Sequence, residues 1–248
     1  MSTGPALPAR DRRVSVNETT GSGIGKVLSL RSIAYGSGRW LRNLAVAFVI
    51  GSGAAAAQPA VVAALGDSLT AGYGLQTDAG FVPQLQAWLD EQGAEVELRN
   101  AGVSGDTTAG GLSRVGWTLT DDVDAMIVAL GGNDVLRGTE PEAARANLAG
   151  ILDAAQAAGV EVLIFGIDAP GNYGPDYKRD FDAIYPELAQ EYDAVLGPDF
   201  LQPIVEAAGE GPVAPYMQGD GIHPNAEGVQ IIVRALGPSV LDLLDRLD

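Results

Sequence analysis

From Val61 onward the chain alternates short apolar runs with longer stretches of helical periodicity, and this alternation most narrows the folds open to it. The apolar runs fall at 61–65, 96–98, 125–130, 160–166 and 194–196, the last of them weak. Helical patterning lies between them, near 81–92, around 108–117, from about 142 to 158 and near 176–192, with a final helix after Pro224. Consecutive parallel strands need a crossover, and helices laid on the sheet faces supply it, so the pattern predicts an α/β protein with a parallel sheet of about five strands covered on both faces. No internal repeat and no long linker interrupts the chain after Gln58, so residues 58–248 are expected to form one domain. With 46% of its 248 residues apolar, the chain has enough material for a substantial core.

Residues 1–57 read as an N-terminal lead and signal peptide. Arg39 and Arg42 precede the apolar run Leu44-Ala45-Val46-Ala47-Phe48-Val49-Ile50, which passes through Gly51-Ser52-Gly53 into Ala54-Ala55-Ala56-Ala57. Basic, apolar, small is the order of a secretory signal, and Ala55 and Ala57 suit cleavage before Gln58. The run is shorter than the roughly 20 residues of a membrane span, so a periplasmic or secreted protein without stable membrane anchoring is expected. An uncleaved amphipathic or buried helix is the alternative. Residues 1–38 are a longer lead than a bacterial signal needs, which places the expected translation start downstream of Met1. The segment 21–26 lacks the spacing and the following Ser/Thr of a phosphate loop.

Charge and cysteine usage exclude several functions. The net charge is −17, yet residues 1–57 carry seven basic against two acidic residues, leaving eight against thirty, a net of −22, for the remainder. Such a body repels nucleic-acid phosphates and anionic membrane surfaces, so neither is expected as a partner. Without cysteine there is no disulfide, thiol nucleophile or iron–sulfur cluster, and a single histidine leaves no multi-histidine metal centre.

In open parallel sheets ligands bind beyond the carboxyl ends of the strands. Four such places carry small or polar groups: Gly66-Asp67-Ser68-Leu69, Asn100 with Ser104-Gly105-Asp106, Gly131-Gly132-Asn133-Asp134, and the segment 166–173. A fifth cluster, Asp220-Gly221-Ile222-His223-Pro224-Asn225, opens the last helix.

A serine hydroxyl needs a base to take its proton, and the base needs a third group to fix its tautomer. His223 is the one candidate base of the usual kind, Asp220 stands three residues before it, and Ser68 lies at a strand-to-helix turn where its own backbone N–H can face a cleft. Gly105 offers a second N–H without an obstructing side chain, and Asn133 a side-chain amide. Taken singly, Ser68 reads as a helix cap, His223 as a satisfied structural histidine and the glycines as turn formers. Together they meet the requirements of acyl transfer.

In these four blocks, Gly66-Asp67-Ser68-Leu69, Gly105 within 100–108, Gly131-Gly132-Asn133-Asp134 and Asp220-Gly221-Ile222-His223, the chain resembles the SGNH (GDSL) hydrolases from about Val61 to its C-terminus. The resemblance implies a flavodoxin-like three-layer α/β/α sandwich. It also implies Ser68 as nucleophile, His223 as general base and acid, Asp220 as its orienter, and an oxyanion hole built from the N–H groups of Ser68 and Gly105 and the Asn133 amide. Asp67 reads as a turn-holding residue. The segments 169–174, 181–186 and 216–218 are similar to the periplasmic branch with acyl-CoA thioesterase, lysophospholipase and arylesterase activities. In that branch the segment after the fourth strand borders the acyl site, which implies a mobile substrate-contacting loop carrying Asn172, Tyr173 and Tyr177. The expected activity is two-step hydrolysis of a small-molecule ester or thioester by a monomer, with no metal or cofactor. Carbohydrate O-acetylesterase, acyltransferase and a non-catalytic acyl-binding protein are the alternatives.

Overall fold

The computed structural model describes residues 58–247, so the expected signal segment lies outside the described residues. The elements run β1 (Ala60–Gly66), α1 (Ser68–Ala71), α2 (Phe81–Gln92), β2 (Val96–Gly102), α3 (Thr108–Thr118), β3 (Ala125–Ala129) and α4 (Gly132–Arg137). There follow α5 (Pro141–Ala158), β4 (Glu161–Gly166), α6 (Pro175–Asp182), α7 (Ile184–Tyr192), β5 (Val195–Asp199), α8 (Gln202–Ala208) and α9 (Ala226–Leu244). The five strands pair in parallel throughout, in the order β2-β1-β3-β4-β5. This is the flavodoxin-like order, whose switch point falls between β1 and β3.

Because successive strand side chains point to opposite faces, one apolar run feeds two cores. Val61, Ala63 and Leu65 join Met126, Val128 and Ile164 under α3, α5 and α7, where Val115, Leu148, Ile151 and Leu188 meet them. Val62 and Ala64 join Ile127, Leu163 and Phe165 on the other face, against Leu85 and Leu89 of α2 and Ile232 and Leu236 of α9. Burial on both faces explains why β1 and β3 are apolar without alternation. Each fully buried Leu, Ile or Phe contributes about 1.5–3 kcal/mol relative to exposure.

Among the departures from the sequence expectation, three have a clear physical cause. β2 continues to Gly102, beyond the apolar stretch 96–98, because it is an edge strand whose Glu97, Arg99 and Asn100 are not enclosed. The helix expected near 176–192 is two helices that meet at Ala183. Pro186 supplies the reason, since it has no N–H for the carbonyl of Asp182 and its ring would clash there. α8 also lay outside the pattern; it starts where Asp199 Oδ1 accepts from the N–H groups of Leu201 (3.0 Å) and Gln202 (3.1 Å).

Candidate active site

The site is built at the switch point from four chain segments. β1 ends at Gly66, and Asp67 then caps α1: its Oδ1 accepts from the Leu69 N–H at 2.9 Å and leaves Ser68 as the first helical residue. The segment after β2 folds back so that the Val103 N–H donates to the Gly66 carbonyl at 3.0 Å and the Asp106 N–H to the Val103 carbonyl at 3.1 Å. Gly105 sits in this turn at φ +86°, a conformation that disfavours side chains. Among the described residues the N–H groups of Ser68 and Gly105 have no hydrogen-bond partner.

After β3 the chain turns at Gly131, at φ +124°. A Cβ there would lie 2.1 Å from the Tyr185 hydroxyl, which donates to the Leu130 carbonyl at 3.0 Å. Glycine therefore lets the buried tyrosine close the turn and brings Asn133 to the loops after β1 and β2. The Asn133 amide donates to the Asp106 carbonyl at 2.9 Å and to Asp67 Oδ2 at 3.2 Å. Next to it, buried Asp134 accepts from the Thr108 N–H and hydroxyl, both at 2.8 Å, tying α4 to the start of α3.

The fourth segment carries the base. Ser68 Oγ and His223 Nε2 are 2.9 Å apart, and His223 Nδ1 and Asp220 Oδ2 are 2.6 Å apart. With the imidazole proton on Nδ1 donating to Asp220, Nε2 is free to accept from the serine hydroxyl. Asp220 Oδ1 accepts from the backbone N–H groups of Ile222 (2.9 Å) and His223 (3.0 Å). The His223 N–H, the His223 ring and the Ile222 N–H hold the Asp220 carboxyl below the usual carboxylate range, so it remains an anion. The loop is pinned by Gln218, whose N–H donates to the His223 carbonyl at 2.7 Å and whose side-chain amide donates to the carbonyls of Tyr73 and Pro224.

Asp67 shows the opposite electrostatics. Only 2% exposed, it is pushed up to about 6 by desolvation, against the lowering effect of the Leu69 N–H, the His223 charge and the Asn133 amide. Its turn-holding role is present, but the sequence reading missed its second partner, Asn133.

A cleft of about 260 Å³ opens at Ser68, His223 and Asn133, with apolar walls from Val135, Leu136, Ile167, Pro170, Leu201 and Ile222. Of the segment after β4, Ile167, Asp168 and Pro170 line the cleft; the structure does not bring Asn172, Tyr173 and Tyr177 to it. The Tyr173 and Tyr177 rings pack together with centroids 4.9 Å apart, Tyr177 stacks on Phe181, and its hydroxyl donates to the Thr139 carbonyl at 2.9 Å. The last of these contacts ties α6 to the turn between α4 and α5. Sequence periodicity gave no sign of them.

A hydroxyl, an imidazole and a carboxylate aligned at the switch point, beside unpaired N–H groups and an apolar cleft, are the arrangement that acyl transfer through a serine requires. The chain belongs to the GDSL-like lipase/acylhydrolase family, whose profile matches residues 64–231. It is a carboxylic ester hydrolase. It is 40% identical over 200 residues to the esterase TesA of Pseudomonas aeruginosa, covering 80% of this chain and 96% of the relative. It is 39% identical over 170 residues to thioesterase 1/protease 1/lysophospholipase L1 of Escherichia coli K12, covering 68% and 77%. The crystal structure of AlinE4, an SGNH-hydrolase family esterase, superposes with a TM-score of 0.60 at 44% identity, over 75% of this chain and 97% of that one.

Proposed function

We propose that the protein hydrolyses acyl esters and thioesters, among them aryl esters and lysophospholipids, by way of an acyl-Ser68 intermediate. Ser68 Oγ attacks the carbonyl carbon as His223 Nε2 takes its proton, and Asp220 stabilises the imidazolium that results. The oxyanion is received by the N–H groups of Ser68 and Gly105 and by the Asn133 amide. Both amide hydrogens of Asn133 are engaged in the free protein, so Asn133 joins by giving up or sharing the longer of its two bonds, the one to Asp67. His223 then protonates the leaving group, and water, activated by the same imidazole, releases the acid.

The observation that carries this reading is the continuous Ser68–His223–Asp220 chain of contacts at 2.9 and 2.6 Å. The apolar cleft supports an acyl substituent, and the likeness to the Escherichia coli thioesterase 1/protease 1/lysophospholipase L1 supports thioesters and lysophospholipids. Contact of Asn172, Tyr173 and Tyr177 with the substrate is part of this proposal and requires the segment after Pro170 to move toward the cleft. The catalytic domain comprises 58–248, acts as a monomer, and reaches the periplasm or the medium after loss of 1–57. Among the described residues no helix is long and apolar enough to cross a membrane.

The test is hydrolysis of a p-nitrophenyl acyl series, from acetate to long chains, by the protein and by its Ser68→Ala variant. Ser68-dependent turnover that extends beyond acetate supports the reading. Turnover confined to acetylated sugars assigns an O-acetylesterase instead, and turnover unchanged in Ser68→Ala removes the serine from the mechanism. N-terminal sequencing of the exported protein should begin at Gln58.

A further inference from the structure

We propose that Arg114, which does not line the cleft at Ser68, is the positioning residue of the oxyanion hole and acts through Asp106. The inference rests on the acyl-transfer reading above. The Arg114 guanidinium donates to three acceptors: from Nε to Asp106 Oδ2 at 2.6 Å, from Nη1 to the Ala101 carbonyl at 2.7 Å and from Nη2 to the Gly66 carbonyl at 2.9 Å. Each acceptor adjoins a different part of the hole. Gly66 immediately precedes Asp67 and Ser68, Ala101 leads into the turn that carries Gly105, and Asp106 follows Gly105 directly. The Asp106 carbonyl is in turn what the Asn133 amide holds at 2.9 Å. One planar group therefore joins the segments that present the Ser68 and Gly105 N–H groups and, through Asp106, the residue whose carbonyl holds the Asn133 amide.

The pair is withdrawn from solvent, with side chains 15% and 18% exposed, so neither end is free to wander. Asp106 is also confined by α3, since a Cβ on Gly110 would lie 2.6 Å from Asp106 Oδ1. A fixed fork of N–H groups can meet three acceptors in three directions at once; a lysine ammonium on its flexible stem cannot hold that geometry. Oxyanion donors act only where the developing charge will be, and misplacement by about 1 Å costs on the order of 10²-fold in rate.

The test compares Arg114→Met, Arg114→Lys, Asp106→Asn, Asn133→Ala and the Arg114→Met/Asn133→Ala double variant, with Ser68→Ala as control, on a short-chain p-nitrophenyl ester. The expected result is a loss of about 10²-fold in kcat for both Arg114 variants, with KM within about threefold of the parent. The double variant should lose far less than the product of the single losses, because both changes disable one device. Thermal unfolding of each variant is followed in parallel, and kcat is read well below its Tm. A kcat within a few-fold of the parent, a loss confined to KM, a loss that disappears on cooling, or multiplicative losses in the double variant would overturn the proposal. Should the Arg114 variants not fold, Asp106→Asn, which keeps both carbonyl contacts of Arg114, decides by the same criteria. Turnover that persists in Ser68→Ala would sink the acyl-transfer reading itself, whereas a silent Ser68→Ala beside an unimpaired Arg114→Met sinks this proposal alone.

Discussion

Asp67 and Asn133 share a 3.2 Å hydrogen bond whose acceptor is a carboxylate only 2% exposed and pushed up to about 6 by its burial. Folding thus favours the protonated form of Asp67. Its contribution to stability is present in full below the ordinary value of 3.8 and is lost as pH rises through about 6. The shift corresponds to a loss on the order of 3 kcal/mol by neutral pH. Denaturant unfolding of the parent and of Asp67→Asn across pH 4–7 should show the parent's stability falling relative to the variant's as pH rises. A constant difference between the two curves would contradict the assignment.

Asp220→Asn preserves the shape of the base's partner and removes its charge. The asparagine amide has no reason to select the imidazole tautomer with its proton on Nδ1, which the 2.9 Å contact with Ser68 requires. Turnover should fall by about 10⁴-fold, comparable to the loss in Ser68→Ala or His223→Ala, with little change in KM. Steady-state kinetics on one aryl ester, with thermal unfolding as a control for folding, measures this.

Gly131→Ala should destabilise the protein by about 2–4 kcal/mol, since the added methyl meets both an unfavourable φ of +124° and the Tyr185 hydroxyl 2.1 Å away. Tyr185→Phe in the same chain removes the clashing oxygen and should recover part of that loss while leaving the backbone strain. Urea unfolding of the two single variants and the double variant separates the contributions.

Ile167→Trp adds a large side chain to the cleft wall. The ratio of kcat/KM for octanoyl over acetyl p-nitrophenyl esters should drop by at least about tenfold, because one or two methylenes excluded from an apolar pocket already cost 1–3 kcal/mol. An unchanged ratio would place the acyl chain elsewhere.

The parallel sheet was legible because β1, β3 and the middle of β4 are enclosed on both faces and therefore apolar without alternation. The edge strand β2 was legible only in part: its polar second half pairs with β1 through backbone atoms, which side-chain patterning does not record. Ser68, Gly105, Asn133, Asp220 and His223 could be named from their positions after strands and in one polar loop. Their convergence depends on strand order, which the alternation of elements does not determine. Arg114 escaped notice because its acceptors are two carbonyls and an aspartate eight residues away, across a helix start. The aromatic packing of Tyr173 and Tyr177 likewise rests on Gly138, where a Cβ would approach Tyr173 to 3.0 Å, a contact with no sequence period.

The sequence separation of 155 between Ser68 and His223 carries a consequence for biogenesis. The first strand and the loop before the last helix must both be in place before a hydroxyl meets an imidazole, so a chain still emerging from a ribosome or a translocation pore has no functioning centre. On the proposed mechanism, hydrolysis begins only when the loop carrying Asp220 and His223 has reached Ser68, and the onset of activity is a clock for that late step of folding.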